Sequence, residues 1–594
     1  MISSKAALAF SFLFVVLASF FYYPKWKNIG TESTISWDVS GYYWYLPATF
    51  IYNDLRHLSF SNDVIKKYQC TPDFQQAYQL PNSNYVLKYS SGMAVQYLPF
   101  FLAAHLLAEP LGYAPDGFSI PYQLAIHLGG LFMCLLGLFF LRQVLRAYFS
   151  DNVVAAVLLC YVFATNYLNF TAIDMPQTHN WLFAWYAILL YATDRFYKIP
   201  SLSRALGIGV VVGICTLTRP TDIVSALIPV FWGMPSLRPY VIRERLRFIQ
   251  QHLSMYAVAF LAIVLIGSIQ LFYWKYVAGQ WFVYSYGDQS FSWLKPHVYY
   301  YMLSARTGWL VYTPIMLFAL LGLVQLYRTN INFLALFLFI LINTYIVTAW
   351  DIWWYGGRAM IQSYPILAFP LAAFITAATR HPVKKTVLYS LFILFAYYNI
   401  WWTHQIHLGR LGDPYNMTRG YFWAILGRYK VSEETQKLLD THNIYTGARK
   451  DVQEVFFTNF DNDTTLAKTG RQFNGTPCEF ITEGKEYTQI FKIPMQNGAA
   501  KWLRLSADFH CEMKEWETWR MPQFCVLFKN GDKDVRGGSI RLHRFLNNGA
   551  TRNLYIDFKL PQKTFDAVSL YVWNPGSEQT LLIDNMRAEI YNEE

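Results

Sequence analysis

The sequence is dominated by a series of apolar runs, each close to the length needed to cross a lipid bilayer as a helix. A bilayer core about 30 Å thick takes about 20 helical residues. These runs predict an α-helical polytopic membrane protein with about 11 transmembrane helices. The predicted spans are 6–23, 120–141, 152–171, 177–193, 204–218, 220–236, 253–274, 307–327, 329–350, 359–379 and 386–403.

Composition and charge agree with a bilayer as the solvent. Of the 594 residues, 54% are hydrophobic and 15% charged, far from the soluble average. The net charge of +11 comes from basic residues in short loops between apolar runs, which is the positive-inside pattern and not a nucleic-acid surface. The loops expected in the cytoplasm contain Arg142 and Arg146; Arg195, Lys198 and Arg204; Arg238, Arg243, Arg245 and Arg247; Arg328; and Arg380, Lys384 and Lys385.

This charge pattern predicts a multi-pass protein of the bacterial inner membrane with a cytoplasmic N-terminus. The first run lacks a small-residue cleavage site, so we expect a retained anchor. The stretch Met93–Leu111 is expected to be an interfacial or re-entrant helix on the outer face, and a true span is the alternative. The short pair 204–218 and 220–236 is expected to form a hairpin that breaks at Arg219-Pro220. The segments expected outside are 24–119, 172–176, 275–306, 351–358 and the tail after Trp402.

An acid and an aromatic patch follow the first span, in the stretch from Trp37 to Pro47. Asp38 is a candidate catalytic base, because a carboxylate accepts a proton from an attacking hydroxyl. Tyr42 and Tyr43 are candidate substrate-lining residues, because aromatic faces stack on apolar faces of sugar rings. The alternatives are an interfacial aromatic belt and, for Asp38, a helix N-cap.

Three basic residues at expected outer positions are candidates for holding a phosphate. Lys88 precedes the helix that begins near Gly92, Arg219 lies in the turn of the hairpin, and Arg358 follows two glycines. Cations and helix N-termini favour phosphate, and a buried arginine is costly unless it meets an anion. The alternatives are a snorkelling lysine and, for Arg219, a structural pair with Asp222 or Asp174.

Weaker candidates lie in the remaining outer loops. Asp174 and His179 flank the start of one span and either line an acceptor site or cap a turn. Trp354 and Tyr355 precede Arg358 and are candidate substrate-lining residues. The ring-rich loop from Tyr284 to Arg306 is either a cover over the substrate or part of the aromatic belt.

These motifs, in this order, resemble the C-superfamily of membrane glycosyltransferases (GT-C fold), which includes protein O-mannosyltransferases and lipid A aminoarabinose transferases. The resemblance covers roughly residues 6–403. It rests on Asp38, on Lys88 before a juxtamembrane helix, on the Thr218-Arg219-Pro220 turn, and on Gly356-Gly357-Arg358 before Tyr364-Pro365. The chain departs from relatives with paired first-loop acids, since Val39 and Ser40 follow Asp38, and it has Ser90-Ser91 where many carry two prolines.

The resemblance implies an inverting hexosyl- or pentosyltransferase that takes sugar from a polyprenyl-phosphate donor. Asp38 would activate the acceptor, and Lys88, Arg219 and Arg358 would hold the donor phosphate. Arg306 joins this set by its placement at the start of a span. The expected partners are the lipid-linked sugar, membrane lipids, and a lipid, glycan or protein acceptor. No metal site is predicted, and a divalent metal ion remains open as a cofactor.

The rest of the chain predicts a separate soluble domain. We expect a transmembrane domain over 1–403, with 24–119 as a first periplasmic loop containing juxtamembrane helices, then a linker over 404–450 with a helix near 433–441. Alternating runs and turns over 451–594 predict a periplasmic antiparallel β-sandwich. The segment from Trp573 to Met586 looks like the end of a jelly roll of the carbohydrate-binding type, and a scaffold is the alternative.

Two other classes of function remain open, a lipid-linked sugar transporter or flippase and a non-catalytic envelope assembly protein. A transporter of this kind tends to have two similar halves, and the chain has no internal repeat. One disulfide among Cys478, Cys511 and Cys525 is allowed by the sequence, with no pairing assigned.

Overall fold

The chain folds into two compact units, Met1–Leu408 and Gly409–Glu594. Their bounds come from a computed structural model that describes residues 2–71, 74–287, 289–351, 355–409, 417–511, 520–546 and 549–594. The first unit is helical and the second is rich in β-strands.

The first unit contains nineteen of the described α-helices and one two-stranded antiparallel ribbon in the first loop. The helices are α1 (Ser4–Leu17), α2 (Trp37–Tyr43), α3 (Tyr45–Phe50), α4 (Ser61–Tyr68), α5 (Gly92–Ala108), α6 (Ile120–Leu145), α7 (Asp151–Phe163), α8 (Tyr167–Ala172), α9 (Thr178–Lys198), α10 (Leu202–Thr218), α11 (Leu227–Phe231), α12 (Pro239–Gln251), α13 (Leu253–Ala278), α14 (Val298–Leu303), α15 (Trp309–Tyr312), α16 (Met316–Thr329), α17 (Phe333–Ala349), α18 (Tyr364–Ala378) and α19 (Pro382–His407). The ribbon pairs β1 (Ala77–Gln79) with β2 (Tyr85–Leu87).

Four helical segments of the described chain are long and apolar enough to cross a membrane: Ser4–Lys27, Ile120–Leu145, Leu253–Ala278 and Tyr355–Ala378. They make the chain a multi-pass membrane protein. Each of the eleven predicted spans contains helix, but several are short or interrupted; 152–171, for example, is divided between α7 and α8. The total of eleven crossings therefore stays a prediction.

The break predicted at Arg219-Pro220 is present. α10 ends at Thr218, Arg219 has extended backbone angles, and a 3-10 segment, Pro220–Ala226, follows. Proline disfavours helical angles in the residue before it and cannot donate to the preceding turn. The expected second arm, 220–236, is shorter than predicted: the 3-10 segment leads directly into α11, which ends at Phe231, and the chain turns at Gly233.

α5 packs antiparallel to the first half of α6. His105 near the end of α5 contacts Tyr122 at the start of α6, and Phe100 in the middle of α5 contacts Gly129 further along α6. The two helices therefore run in opposite directions. The N-terminal end of α5 lies against α10, since a Cβ atom on Gly92 would lie 2.3 Å from the backbone nitrogen of Thr218. α5 therefore contacts protein on two sides, and its position as an interfacial or re-entrant helix stays a prediction.

Close helix contacts elsewhere depend on small residues, as is common between membrane helices. A Cβ atom on Gly209 of α10 would lie 2.3 Å from the carbonyl oxygen of Ala259 in α13. In the same way, a Cβ atom on Gly322 of α16 would lie 1.9 Å from the carbonyl oxygen of Pro370 in α18. Larger side chains at these positions would force the helices apart.

Within the described ranges, the second unit contains two larger antiparallel sheets, one two-stranded antiparallel ribbon and three short helices. The strands are β3 (Arg449–Thr458), β4 (Gln472–Phe473), β5 (Thr476–Pro477), β6 (Glu479–Ile481), β7 (Phe491–Pro494), β8 (Trp502–Cys511), β9 (Gln523–Asn530), β10 (Lys533–Arg541), β11 (Ala550–Lys559), β12 (Ala567–Trp573) and β13 (Leu581–Glu593). The helices are α20 (Arg419–Ile425), α21 (Glu433–Lys437) and α22 (Thr464–Ala467). One sheet has the order β10-β9-β12-β7, and the other has the order β11-β8-β13-β3 with β6 beside β13.

The two sheets share one hydrophobic core. Phe509 of β8 packs edge-on against Phe524 of β9, with ring centroids 5.1 Å apart, and Phe528 packs against Phe558 at 5.9 Å. The antiparallel strands predicted from the alternating pattern are present, and the likeness to a jelly roll stays a prediction.

The segment expected to be a linker contributes to the second unit. Asp440 accepts from Arg541 at 2.5 Å, Glu433 accepts from Arg552 at 2.7 Å, and the Lys437 ammonium lies 3.2 Å from the centroid of the Tyr555 ring. These charged contacts attach α21 to the sheets. Cys478, Cys511 and Cys525 are all buried, and in the part of the chain that the structure describes none of them forms the disulfide that the sequence allows.

Candidate active site

The Asp38 carboxylate lies at the start of α2 and is held by two long-range contacts. The Tyr89 hydroxyl donates to Oδ1 at 2.7 Å, and the Arg358 guanidinium donates to Oδ2 at 2.8 Å. Asp38 lies inside the helix and not at its N-cap, which is Ser36, so the N-cap alternative was wrong. The carboxylate is oriented by tertiary contacts, and its side chain stays 27% exposed.

The charges around Asp38 keep it ionised. Burial alone would raise the pKa of this carboxyl group, but the Arg358 guanidinium, the Tyr89 hydroxyl and the Lys88 ammonium together hold the pKa below its ordinary value. Asp38 is therefore a carboxylate at neutral pH and acts there as a hydrogen-bond acceptor.

A close backbone approach fixes Tyr89 beside α2. A Cβ atom on Gly41 would lie 2.5 Å from Cδ2 of Tyr89, so only glycine lets the ring pass. The Tyr42 ring centroid lies 4.5 Å from that of Tyr89, and the Tyr286 ring packs edge-on against Tyr89 at 6.0 Å. Two further tyrosine rings therefore pack on Tyr89, whose hydroxyl donates to the carboxylate.

Lys88 precedes Tyr89 and is half-buried. Its ammonium group lies 5.6 Å from the centroid of the Tyr89 ring. Burial lowers the pKa of Lys88, and the Asp38 charge opposes that shift. Lys88 makes no ion pair within 4.0 Å with any carboxylate in the part of the chain that the structure describes.

Arg219 is positioned by the end of α10 and donates to two neutral side chains. Its Nη2 donates to Thr178 at 2.8 Å, and its Nη1 donates to Gln362 at 3.3 Å. The expected alternative, a pair with Asp222 or Asp174, was wrong: Gln362 donates to Asp222 at 3.3 Å, and Asp174 pairs with Lys25. Across the described ranges, Arg219 has no carboxylate within ion-pair distance.

Arg358 follows a kink that only glycines readily adopt. Gly356 and Gly357 have φ values of +61° and +62°, and a Cβ atom on Gly357 would lie 2.6 Å from that of Trp309. Besides its pair with Asp38, the guanidinium donates to Gln177 at 3.2 Å. This pairing differs from the expected projection of Arg358 toward an open phosphate site.

The contact between Gly92 and Thr218 brings the Lys88 and Arg219 segments together. Gln96 of α5 reinforces it, since its amide donates to the Thr218 hydroxyl at 2.8 Å. Tyr42 lies within electrostatic range of these charged groups. Burial and the Asp38 charge raise the pKa of Tyr42, while the Arg219 and Arg358 charges lower it. The structure thus gathers Asp38, Lys88, Arg219, Arg358 and Tyr42 into one site.

Other predicted residues have different surroundings. Tyr43 is fully buried, donates to the Gly117 carbonyl at 2.5 Å and packs edge-on against Phe118, which are contacts of a core residue. Asp174 accepts from Lys25 at 2.7 Å and from Asn169 at 2.9 Å, apart from the Asp38 carboxylate.

Three further candidates, His179, Tyr355 and Arg306, make no hydrogen bond or ion pair with Asp38 within the described ranges. His179 is buried against Phe170 at 5.4 Å and follows Thr178 directly in the chain. Tyr355 is buried, with its ring 4.9 Å from that of Tyr312. Within the described ranges no contact joins Arg306 to the Asp38 carboxylate. Trp354 lies outside the described residues.

Sequence reasoning gave no role to Tyr89, Gln177, Thr178 or Gln362, the residues that orient the charged groups. The signal for Gln362 was an amide within an apolar segment, which in a membrane domain marks a functional or structural polar contact. Among the described residues, no group of three or more His, Cys, Asp or Glu side chains is arranged to hold a metal ion.

Fold and site together define a multi-pass membrane protein in which Arg358 pairs with the Asp38 carboxylate while, among the described residues, Lys88 and Arg219 lie near it without an ion pair. No family model matches the sequence, and no curated protein matches it. Among solved structures, the cryo-EM structure of arabinosyltransferase EmbB from Mycobacterium smegmatis is similar, with a TM-score of 0.31 and 11% sequence identity. The match covers 84% of this chain and 60% of the EmbB chain.

Proposed function

We propose that the chain is a membrane glycosyltransferase that moves a hexosyl or pentosyl unit from a polyprenyl-phosphate donor to a lipid, glycan or protein acceptor, with inversion. The observation that carries this proposal is the site itself. Asp38, Arg219 and Arg358 come from distant parts of the chain and are brought together by the adjacent residues Thr178 and Gln177, which accept from Arg219 and Arg358.

Asp38 serves as the general base. An ionised carboxylate has about four lone-pair directions, and Tyr89 and Arg358 use one on each oxygen. A remaining direction accepts the hydrogen of the acceptor hydroxyl. As the acceptor oxygen bonds to the anomeric carbon, its proton passes to Asp38 and the bond from that carbon to the phosphate oxygen breaks. The electron pair leaves with polyprenyl phosphate.

The cations hold the leaving phosphate. The site has three cations, Lys88, Arg219 and Arg358, and one neighbouring carboxylate, Asp38, so positive charge exceeds negative charge by two among these four groups. A sugar phosphodiester has one negative charge, and the departing phosphate monoester approaches two, so this excess favours the transition state more than the bound donor. Arg219 is the main phosphate ligand, because its hydrogen-bond partners Thr178 and Gln362 are neutral and it forms no ion pair with a carboxylate in the described part of the chain.

Aromatic rings hold the sugar. Tyr42 and Tyr286 pack on Tyr89 beside the carboxylate, and aromatic faces pack against the C–H faces of sugar rings. The loop containing Tyr286 is attached at this point, since Ser285 donates to the Lys88 carbonyl at 2.7 Å. This arrangement supports the role of the loop as a cover over the substrate.

The site faces the extracytoplasmic side of the bacterial inner membrane. Basic residues are concentrated in the loops at the opposite ends of the helices, and the positive-inside rule places those loops in the cytoplasm. In this topology the second unit is periplasmic and is available to position the enzyme or to bind a glycan.

The experiment that tests the proposal supplies the purified protein in lipid nanodiscs with a polyprenyl-phosphate-linked sugar that is radiolabelled in the sugar. We expect release of free polyprenyl phosphate and transfer of label to an envelope lipid, glycan or protein fraction. Binding or movement of the intact lipid-linked sugar across a membrane without cleavage of the sugar–phosphate bond would contradict the proposal and indicate a transporter.

A further inference from the structure

α12 (Pro239–Gln251) lies where a membrane-crossing helix begins. α13 starts at Leu253 and is one of the four segments long and apolar enough to span. The single residue between the two helices, His252, has φ −118° and ψ 29°, so the helices are not continuous. Because α13 begins at the edge of the bilayer, α12 must lie at the membrane–water boundary.

One side of α12 packs on the protein. Val241 is buried, and the Arg245 guanidinium turns inward to donate to the carbonyl of Trp232 and to lie 4.5 Å from the centroid of the Tyr197 ring. The Phe248 ring stacks on that of Tyr197 at 5.5 Å. These contacts fix which side of α12 faces away from the protein.

The outward side is amphipathic. Ile242 and Leu246 are one turn apart and exposed, at 39% and 54%, and the exposed Arg243 and Arg247 form the neighbouring row. Across the described ranges, neither arginine makes an ion pair. Apolar side chains beside unpaired cations are the pattern of a helix that lies in the headgroup region of a membrane.

This surface is remote from the candidate active site. Thr178 begins α9 and contacts Arg219, whereas Tyr197 near the end of α9 contacts α12. A helix rises 1.5 Å per residue, so about 30 Å separates the two places. The cations of α12 therefore serve no part of the Asp38 site.

We propose that α12 is an interfacial helix that binds anionic phospholipid head groups through Arg243 and Arg247, with Ile242 and Leu246 inserted among the acyl chains. The occupant follows from charge and position. Phospholipid head groups supply negative charge at the depth where α13 enters the bilayer, and apolar side chains beside them enter the hydrocarbon boundary. By the positive-inside rule this is the cytoplasmic leaflet.

The first test measures where the helix lies. The seven native cysteines are buried, so an environment-sensitive fluorophore attached to Ile242→Cys reports this position alone. The full chain is placed in nanodiscs of phosphatidylcholine or of a phosphatidylcholine–phosphatidylglycerol mixture. We expect the label to be shielded from an aqueous quencher, more so with phosphatidylglycerol. Quenching equal to that of a label on the exposed Lys468→Cys would overturn the proposal.

The second test measures the lipid preference. Native mass spectrometry of the full chain with added phosphatidylglycerol gives its apparent affinity, and phosphatidylcholine gives the neutral reference. Each basic side chain at an anionic surface contributes about a fivefold factor. We expect Arg243→Gln with Arg247→Gln to weaken phosphatidylglycerol binding by about 25-fold, while phosphatidylcholine binding is unchanged.

The matched control removes two positive charges elsewhere, through Lys468→Gln with Lys533→Gln on the exposed surface of the second unit. We expect phosphatidylglycerol binding by this control to equal that of the wild type. An equal loss in the control and in the α12 variant, or no loss in the α12 variant, would overturn the proposal.

Discussion

Asp38 and Arg358 are 320 positions apart in the chain, yet the guanidinium donates to the carboxylate at 2.8 Å. The pair joins the first loop to the kinked segment before α18, and the two side chains stay 27% and 26% exposed. Because both remain partly exposed, solvent screens the pair and the carboxylate keeps access to a ligand. The contact therefore orients a base without closing the site.

Replacing Asp38 by Asn is expected to reduce sugar transfer by about 10²- to 10⁴-fold, the usual contribution of a general base. The amide keeps the size of the side chain but cannot take a proton. The measurement is the transfer rate at saturating donor, with membrane accumulation checked by immunoblot. Asp63→Asn, which changes an exposed acid in the same loop, is the control and should retain full activity. Full activity in Asp38→Asn would remove this residue from the mechanism.

Replacing Arg219 by Gln is expected to weaken binding of polyprenyl phosphate by about 10- to 100-fold, because a hydrogen bond to a charged group contributes about 1.5–3 kcal/mol. The measurement is the Kd for the lipid in nanodiscs. Arg204→Gln removes the same charge at the other end of α10 and should leave the Kd unchanged. An equal Kd for wild type and Arg219→Gln would assign the phosphate to other residues.

Replacing Tyr89 by Phe is expected to move the acidic limb of the pH–rate profile to higher pH. The Tyr89 hydroxyl stabilises the Asp38 carboxylate and helps to hold the pKa of this group below its usual value. Activity is lost as the pH falls through the pKa of Asp38, because the protonated acid cannot accept a proton. Removing the Tyr89 donor raises this pKa, so activity is lost at a higher pH than in the wild type. The measurement is kcat/KM against pH.

Tyr45→Phe is the control for the tyrosine substitution. Its hydroxyl donates to the Tyr89 carbonyl at 2.6 Å and has no hydrogen bond to Asp38, so the acidic limb should stay in place. A profile that is identical in Tyr89→Phe and the wild type would show that this hydroxyl does not set the ionisation of the base.

Replacing Gly92 by Ala is expected to lower both stability and transfer, because the new Cβ would lie 2.3 Å from the Thr218 nitrogen and push α5 away from α10. Overpacking of this kind costs about 1–3 kcal/mol. Thermal unfolding in detergent measures the change. Gly207→Ala is the control: it lies within α10 with no heavy atom within 4 Å of the new Cβ, and it should raise stability by about 0.5–1 kcal/mol.

The apolar runs and the charge of the loops were enough to predict a helical membrane domain, and alternation was enough to predict the strands that follow it. The predicted hairpin arm 220–236 is shorter than predicted, because α11 ends at Phe231 and the positive φ of Gly233 turns the chain within an apolar run that hydropathy alone reads as unbroken. Hydropathy measures how well a segment dissolves in lipid and carries no information about backbone angles.

The charged residues of the site were predictable because a charge in an outer loop or at a helix break is costly unless it has a partner. Their actual partners were not. Arg358 pairs with Asp38 and Arg219 with Thr178 and Gln362, and these choices depend on close approaches at Gly41, Gly92 and Gly357. Such contacts join segments far apart in the chain, which one sequence does not reveal.

The most direct measurement of the central claim is photo-crosslinking with a polyprenyl phosphate that has a diazirine next to the phosphate. The full chain in nanodiscs is irradiated and digested, and the modified peptides are identified by mass spectrometry. We predict labelling of peptides that contain Lys88, Arg219 or Arg358, with loss of labelling in Arg219→Gln. Labelling confined to other parts of the chain, or unchanged labelling in that variant, would contradict a phosphate site beside Asp38.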